Sequence, residues 1–208
     1  MSEMQVLRPF GPSIAKIKLP PKIIEEMNLY VDEVINDKKK ITKLDHGTEL
    51  AGKVKQEFLL EEEFMKKIKW AEFLAQSINK WIQVDSNKKL KHFQMIKSWI
   101  VRQFKNEYNP MHVHSGHVSG VGYLKVPKNM GVPIVGKNTN ENGKLVLMHG
   151  SVNSFSKASL IIKPEVGDFY LFPNYLLHAV YPFKDTDEER RSVSFNANLD
   201  KDAISYTN

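Results

Sequence analysis

The feature that most constrains the fold is a change of hydrophobic period near residue 91. From there onward apolar and polar residues alternate in short runs, which end at glycine, proline or asparagine. The runs predict strands at 91–104, 118–126, 144–148, 159–163, 168–172 and 191–198. Many short strands with turn signals between them, and no convincing helix, predict an antiparallel sandwich or barrel.

The first 90 residues have a different pattern. Alternation at 13–19 predicts a strand, and apolar residues three and four apart predict helices at 22–35 and 61–82. The polar segment 37–52 is expected to be a loop. We therefore predict an α+β chain that is mostly β. A single domain of 208 residues would hold N-terminal helical support at about 1–90, a β core at about 91–198 and a tail at 199–208.

Composition narrows the possible sites and partners. The absence of cysteine excludes disulfides and thiolate ligands, which leaves His, Asp and Glu as candidate metal ligands. No apolar run approaches the roughly 18 residues of a membrane span, and the first 20 residues lack the apolar core of a signal peptide. We expect a cytoplasmic protein with no membrane partner. The net charge is +6, but the basic residues do not form a stripe with interleaved aromatics. Nucleic acid is therefore not an expected partner.

Three of the seven histidines lie within six residues, at His112, His114 and His117. In an extended chain, alternation directs His112 and His114 to the same face. Two neutral imidazoles that converge in this way are good ligands for Fe, Zn, Cu or Ni. The pattern predicts a metal site, with His117 out of step and therefore structural or directed toward substrate.

Short motifs follow one another in a fixed order through this half of the chain. They are H-x-H at 112–114, S-G-x-x-Y at 119–123, G-D-x-x-x-F-P at 167–173, L-x-H-x-V-x-P at 176–182 and E-R-x-S-x-S-F-N at 189–196. Over about residues 91 to 198 the sequence resembles the 2-oxoglutarate- and Fe(II)-dependent oxygenases, and more closely their small phage and bacterial branch. The resemblance implies a double-stranded β-helix, a jelly-roll or cupin-like fold, with iron at its mouth.

The resemblance also implies roles for the histidines. His112 matches the first iron ligand of the family and His178 the distal one, whereas His114 stands where the family has a carboxylate. Either His114 binds and makes a three-imidazole site, or it turns away and another ligand takes its place; we expect it to bind. Asp168 is the alternative carboxylate, although the Gly167-Asp168 pair is more typical of a turn that starts a strand.

A second set of residues concerns the co-substrate. In an extended strand Arg190 and Ser192 share one face, and Arg191 lies on the other. The resemblance implies that Arg190 and Ser192 bind the distal carboxylate of 2-oxoglutarate and that Tyr123 contacts the co-substrate. A register slip of one residue would give the role to Arg191, and a surface salt bridge with Glu188 or Glu189 would be a purely structural role for Arg190.

The implied activity is hydroxylation of a protein side chain or a small molecule, with O2 consumed and 2-oxoglutarate converted to succinate and CO2. The loop at 128–142 would then determine the substrate. Two other classes stay open: a three-histidine cupin-type dioxygenase that acts without 2-oxoglutarate, and a non-catalytic binding module on the same barrel.

Overall fold

A computed structural model describes residues 11–134 and 139–205 of the chain. The described helices are α1 (Pro21–Asn36), α2 (Lys38–Leu44), α3 (Glu62–Lys67), α4 (Trp70–Ser86) and α5 (Lys201–Ile204). The described strands are β1 (Ala15–Lys18), β2 (Gln56–Leu59), β3 (Phe93–Gln103), β4 (Asn109–His112), β5 (Val118–Lys125), β6 (Leu145–Met148), β7 (Ser159–Ile162), β8 (Asp168–Pro173), β9 (Leu177–Val180) and β10 (Arg190–Leu199).

The strands form two antiparallel sheets. The larger sheet has the order β1-β8-β5-β10-β3-β2, and the smaller has the order β4-β9-β6-β7. Strand β10 pairs with β3 on one side and with β5 on the other. The pairing with β3 runs from Arg190 opposite Gln103 to Leu199 opposite Phe93. The predicted mostly β, antiparallel jelly-roll architecture is thereby confirmed.

Helices α1 and α4 pack on one face of the larger sheet. Met27, Val31 and Leu74, on the apolar stripes of these helices, are fully buried. They belong to one hydrophobic cluster with Val193 and Phe195 of β10. Burial of these side chains is the main force that holds the helices on the sheet. The opposite face of the same strands looks toward the smaller sheet, so the two faces of β10 have different environments.

The N-terminal elements differ from the sequence predictions in three places. The helix expected at 61–82 is broken, because Lys69 adopts a left-handed conformation (φ 54°) and α4 starts anew at Trp70. The break lets the buried Trp70 indole donate a hydrogen bond to Ser98 Oγ at 3.0 Å. The segment 37–52, expected as a loop, contains α2, which is capped by the Asp37 side chain. Strand β2 was not predicted at all.

No helix in the described part of the chain combines the length and the apolar character needed to cross a bilayer. The tail expected at 199–208 begins with the last residue of β10 and then forms α5. Residues 206–208 of that tail, and residues 135–138 of the loop expected at 128–142, lie outside the described residues.

Close packing of β5 against its neighbours generates the first prediction. A Cβ added at Gly120 would lie 2.5 Å from Phe195 Cε1 and 2.8 Å from the Tyr170 carbonyl oxygen. We expect Gly120→Ala to lower the free energy of unfolding by about 1 to 3 kcal/mol, the usual range for overpacking a core. Urea unfolding measures the change. Gly47→Ala is the control, because its Cβ would meet only Asp45 Oδ1 at 3.4 Å; equal losses in both variants would contradict the prediction.

Candidate metal and co-substrate site

Three histidines converge between the two sheets. The candidate ligand nitrogens of His112, His114 and His178 all lie within 4.8 Å of one another. His114 Nε2 is 3.1 Å from His178 Nε2, and the rings of His112 and His178 have centroids 4.2 Å apart. This spacing fits three imidazoles around one cation, which is the arrangement predicted for a metal site.

Different elements position the three rings. His112 is the last residue of β4 and lies opposite His178 of β9. His114 lies beyond the end of β4, so the expected strand alternation does not place it. Instead its backbone N–H donates to the Asn174 carbonyl at 3.1 Å, and the Asn174 amide donates to the His114 carbonyl at 2.9 Å. The convergence of His112 and His114 was predicted, but the strand geometry assumed for His114 was wrong.

Backbone carbonyls fix two of the rings. His112 Nδ1 lies 2.7 Å from the Pro110 carbonyl oxygen, and His178 Nδ1 lies 2.8 Å from the Leu176 carbonyl oxygen. A carbonyl only accepts, so both contacts require the proton on Nδ1 and leave Nε2 unprotonated, with its lone pair directed into the cluster. This is the usual second-sphere arrangement for a metal-binding histidine.

Burial keeps two of the three histidines, His114 and His178, neutral. It lowers the pKa of His114 to about 3, with further lowering by the charges of His178, His112 and Lys97. Burial and then the charge of His112 lower the pKa of His178 to about 4. Neutral imidazole is the form that binds metal, so His114 and His178 are in the correct protonation state at neutral pH.

Arg190 lies in the cavity that contains the histidines and is 1% exposed. Its guanidinium donates to Gln103 Oε1 and lies 5.1 Å from the centre of the Tyr123 ring. No described carboxylate forms an ion pair with it, and neither Arg190 Nε nor the buried Tyr123 hydroxyl has a hydrogen-bond partner. A positive charge and two unpartnered polar atoms therefore lie together beside the histidine cluster.

Arg191 has the opposite environment. It points to the helical side of β10, where Asp32 and Glu189 bind it at 2.7 and 2.5 Å and Asn28 accepts two further hydrogen bonds. The register is therefore the one that alternation predicts, with Arg190 and not Arg191 at the cavity. Glu189, considered as a partner of Arg190, pairs instead with Arg191, Arg102 and Lys125.

The remaining predicted site residues separate into two groups. Ser192 lines the same cavity as Arg190 and lies opposite Tyr123 of the neighbouring strand β5. Asp168 lies outside the cavity, fully buried between the amines of Lys16 and Lys18, so it is a structural ion-pair partner. The ring nitrogen Nδ1 of His117 accepts the Leu199 N–H at 3.0 Å, which is a structural role.

Sequence reasoning missed one charged residue of this cavity. Glu57 of β2 lines it and is 1% exposed, and among the described residues neither of its carboxylate oxygens has a hydrogen-bond partner of normal geometry. Burial raises the pKa of Glu57 to about 7. The apolar residues Phe58 and Leu60, on the alternate positions, were the only sequence signal for this strand.

The lowered pKa values predict how stability depends on pH. Between about pH 4 and 6.5 the unfolded chain protonates His114 and His178 but the folded chain does not, so acid favours unfolding. We expect the metal-free protein to lose about 1.4 kcal/mol of unfolding free energy per pH unit for each histidine in this window. Denaturant unfolding from pH 7 to pH 4.5 measures the slope. His114→Asn should reduce it and the exposed-site control His92→Asn should not; equal slopes in all three proteins would contradict the assignment.

The comparisons with known proteins agree with this geometry. Residues 97–196 match the sequence profile of the family described as "Putative 2OG-Fe(II) oxygenase". The matched segment runs from β3 to β10 and includes all three histidines, Arg190 and Ser192. No curated protein matches the sequence.

Solved structures share the fold at low sequence identity. A prolyl-4-hydroxylase from Pseudomonas putida is 14% identical, with 89% of this chain and 91% of that chain covered and a TM-score of 0.54. The viral collagen prolyl hydroxylase of Paramecium Bursaria Chlorella virus-1, in its 2-oxoglutarate complex, is 15% identical, with 88% and 94% covered and a TM-score of 0.53. HygX from Streptomyces hygroscopicus, with nickel and 2-oxoglutarate bound, is 11% identical, with 90% and 83% covered and a TM-score of 0.59.

These likenesses show the fold. Residues 97–196 resemble the 2-oxoglutarate- and Fe(II)-dependent oxygenases, and this match, together with the fold, supports an oxidoreductase that uses iron and 2-oxoglutarate.

Proposed function

We propose that this oxygenase hydroxylates a C–H bond of a protein side chain or a small molecule, with release of succinate and CO2. His112, His114 and His178 would hold the iron, and Arg190 with Ser192 and Tyr123 would bind 2-oxoglutarate. The observation that carries the proposal is a buried guanidinium, without a carboxylate partner among the described residues, in one cavity with three converging histidines.

The histidine cluster suits the iron of this family. The Nε2 atoms of His112 and His178 are unprotonated and can bind a metal. The low pKa values of His114 and His178 keep those two rings neutral. Three protein ligands would leave room at the bound ion for the keto acid and for O2. Bound iron would supply the oxidising chemistry, and the protein would supply position and environment.

Arg190 suits the distal carboxylate of 2-oxoglutarate. A guanidinium presents a planar fork that a carboxylate can meet with two charge-assisted hydrogen bonds. The unpartnered Arg190 Nε and Tyr123 hydroxyl are further donors beside it. Burial raises the pKa of Tyr123, so its hydroxyl keeps its proton and remains a donor at neutral pH.

Aromatic rings border the histidines. The Trp99 ring lies edge-on to His114 at 5.6 Å, and the Phe172 ring lies edge-on to His178 at 5.2 Å. Both rings also line the cavity, together with Val101, Leu145 and Val180. We infer that these apolar walls limit the access of water, which strengthens the electrostatic contacts of the bound co-substrate.

The loop at 128–142 would determine the primary substrate, because it is the longest connection near the cavity strands. The side chain of Asn142 organises its described part by donating to the carbonyls of Met130 and Val132 at 2.7 and 2.8 Å. A positive φ at Gly131 fits the same turn. Exchanging this loop would therefore change which substrate is accepted while the metal and co-substrate contacts remain.

The metal assignment predicts the effect of removing single histidines. His112→Ala and His178→Ala should abolish Fe(II) binding, because each removes an imidazole from a three-ligand site, and His114→Ala should weaken it. Anaerobic titration with Fe(II) and 2-oxoglutarate measures binding through the weak visible charge-transfer band of the chelate. His149→Ala, at an exposed histidine, is the control. Unchanged affinity in the His112 and His178 variants would rule out this site.

If Arg190 is the clamp, the residue that binds the distal carboxylate of 2-oxoglutarate, then substitutions at Arg190 and at the adjacent Arg191 should differ in their effect on 2-oxoglutarate affinity. Arg190→Met should weaken 2-oxoglutarate binding at least about tenfold and up to about a thousandfold, because a buried carboxylate that loses its charged partner costs about 2 to 5 kcal/mol. Iron affinity should stay nearly unchanged. The same titration, with 2-oxoglutarate varied at fixed Fe(II), gives the affinity.

A lysine pair provides the matched control. Arg190→Lys should weaken binding because the fork is lost, whereas Arg191→Lys, on the opposite face of β10, should leave 2-oxoglutarate affinity unchanged. The reverse result would move the clamp to Arg191. If neither position affects 2-oxoglutarate, the three-histidine dioxygenase that acts without this co-substrate becomes the better account.

A further inference from the structure

Glu57 is a buried carboxylate on the wall of the proposed metal site. It lies on the edge strand β2 opposite Val101 of β3, and both residues line the cavity. The Asn109 side chain lies close enough to lower its pKa, yet neither Glu57 oxygen makes a hydrogen bond of normal geometry. Burial of an ionised carboxylate without partners costs free energy, so a cation or hydrogen-bond donor that binds in the cavity would stabilise the ionised form of Glu57.

The other nearby carboxylates already have partners. Glu107 accepts the N–H groups of Phe104 and Lys55 at 2.8 and 3.3 Å, and Asp168 is bound by two lysines away from the cavity. Among the described residues that line the cavity, Glu57 is the only acidic one. The negative charge available to an ion in the histidine cluster therefore comes from Glu57.

The charges of the complete site show what this carboxylate can do. Three neutral imidazoles leave a divalent ion with its full double charge, and the 2-oxoglutarate dianion neutralises that charge. The Arg190 guanidinium then remains as one uncompensated positive charge in a low-dielectric cavity. A ligand set of two histidines and one carboxylate would remove this excess through the ligating carboxylate.

We propose that Glu57 supplies this compensating negative charge from the cavity wall and so acts as a positioning residue for the metal and its co-substrate. The inference rests on the proposed metal site. It assigns to an edge strand of the larger sheet the electrostatic role that a third, carboxylate ligand would have. His114 can then complete the coordination without leaving the site with an excess of positive charge.

Protonation gives the proposal a specific signature. Without metal, burial and the charges of Glu107 and Asp45 hold the pKa of Glu57 near 7, although Asn109 lowers it. The cavity also presents Arg190 and the three histidines toward the same space. A divalent ion placed there would favour the ionised carboxylate, so metal binding at pH 7 should release the proton that Glu57 partly retains.

The experiment compares the full chain with its Glu57→Gln variant, using Zn(II) as the probe because it is stable in air. Chelator competition gives the affinity, and calorimetry in two buffers of different ionisation enthalpy gives the protons released at pH 7. Glu57→Gln should bind Zn(II) about tenfold more weakly, the lower end of the range for residues that support a metal site without ligating the ion. It should also release about half a proton less than the unsubstituted protein.

Three further variants separate charge from structure. Glu57→Asp should restore most of the affinity and the proton release, whereas Glu57→Met, a second uncharged variant, should behave like Glu57→Gln. Glu49→Gln, at an exposed carboxylate shortly before β2, should match the unsubstituted protein. Thermal unfolding without metal checks that each variant folds.

The outcomes are distinguishable. If the unsubstituted protein binds Zn(II) and the uncharged variants match it in affinity and in proton release, Glu57 has no compensating role and the histidine site stands without it. If the unsubstituted protein does not bind Zn(II), both the proposed metal site and this inference are wrong.

Discussion

The site depends on the burial of two adjacent arginines on opposite faces of one strand. Burying a guanidinium is costly unless carboxylates and hydrogen bonds satisfy it, and Arg191 receives both from Asp32, Glu189 and Asn28. Arg190 donates to the neutral Gln103 and lies beside the ring of Tyr123, and no described residue forms an ion pair with it. One face of β10 therefore holds a satisfied ion pair that fixes helix α1, while the other face holds a charge that an anionic ligand can satisfy.

The sequence was most informative where alternation acts over many residues. Ten residues of β10 pair with β3 and seven of these also pair with β5, so a register slip would move every buried side chain to the other face. Alternation alone therefore placed Arg190 and Arg191 on opposite faces. Alternation and turn signals also predicted the antiparallel architecture, whereas the pairing of His112 with His178 was implied by the resemblance to the oxygenase family. In these cases local pattern and tertiary structure agree, because long strands with one apolar face allow only one arrangement.

Other features depended on contacts that no local pattern contains. Strand β2 has four residues and lies at a sheet edge, and its one inward-facing polar residue, Glu57, is indistinguishable in sequence from a solvent-facing glutamate. The break before α4 requires a left-handed Lys69, which pattern analysis does not anticipate. The position of His114 is set by Asn174, sixty residues later in the chain. Each of these is a tertiary effect that overrides local preference.

The ion pair between Arg191 and helix α1 also bears on where the folding unit begins. The segment that matches the oxygenase profile starts at residue 97, but its strands present Ile100, Val193 and Phe195 to the helices that precede it. A fragment that started at the profile boundary would expose this apolar surface to water and would leave the buried Arg191 without Asp32. The profile match therefore ends within a larger packed unit, and the N-terminal helices belong to the structure that supports β10.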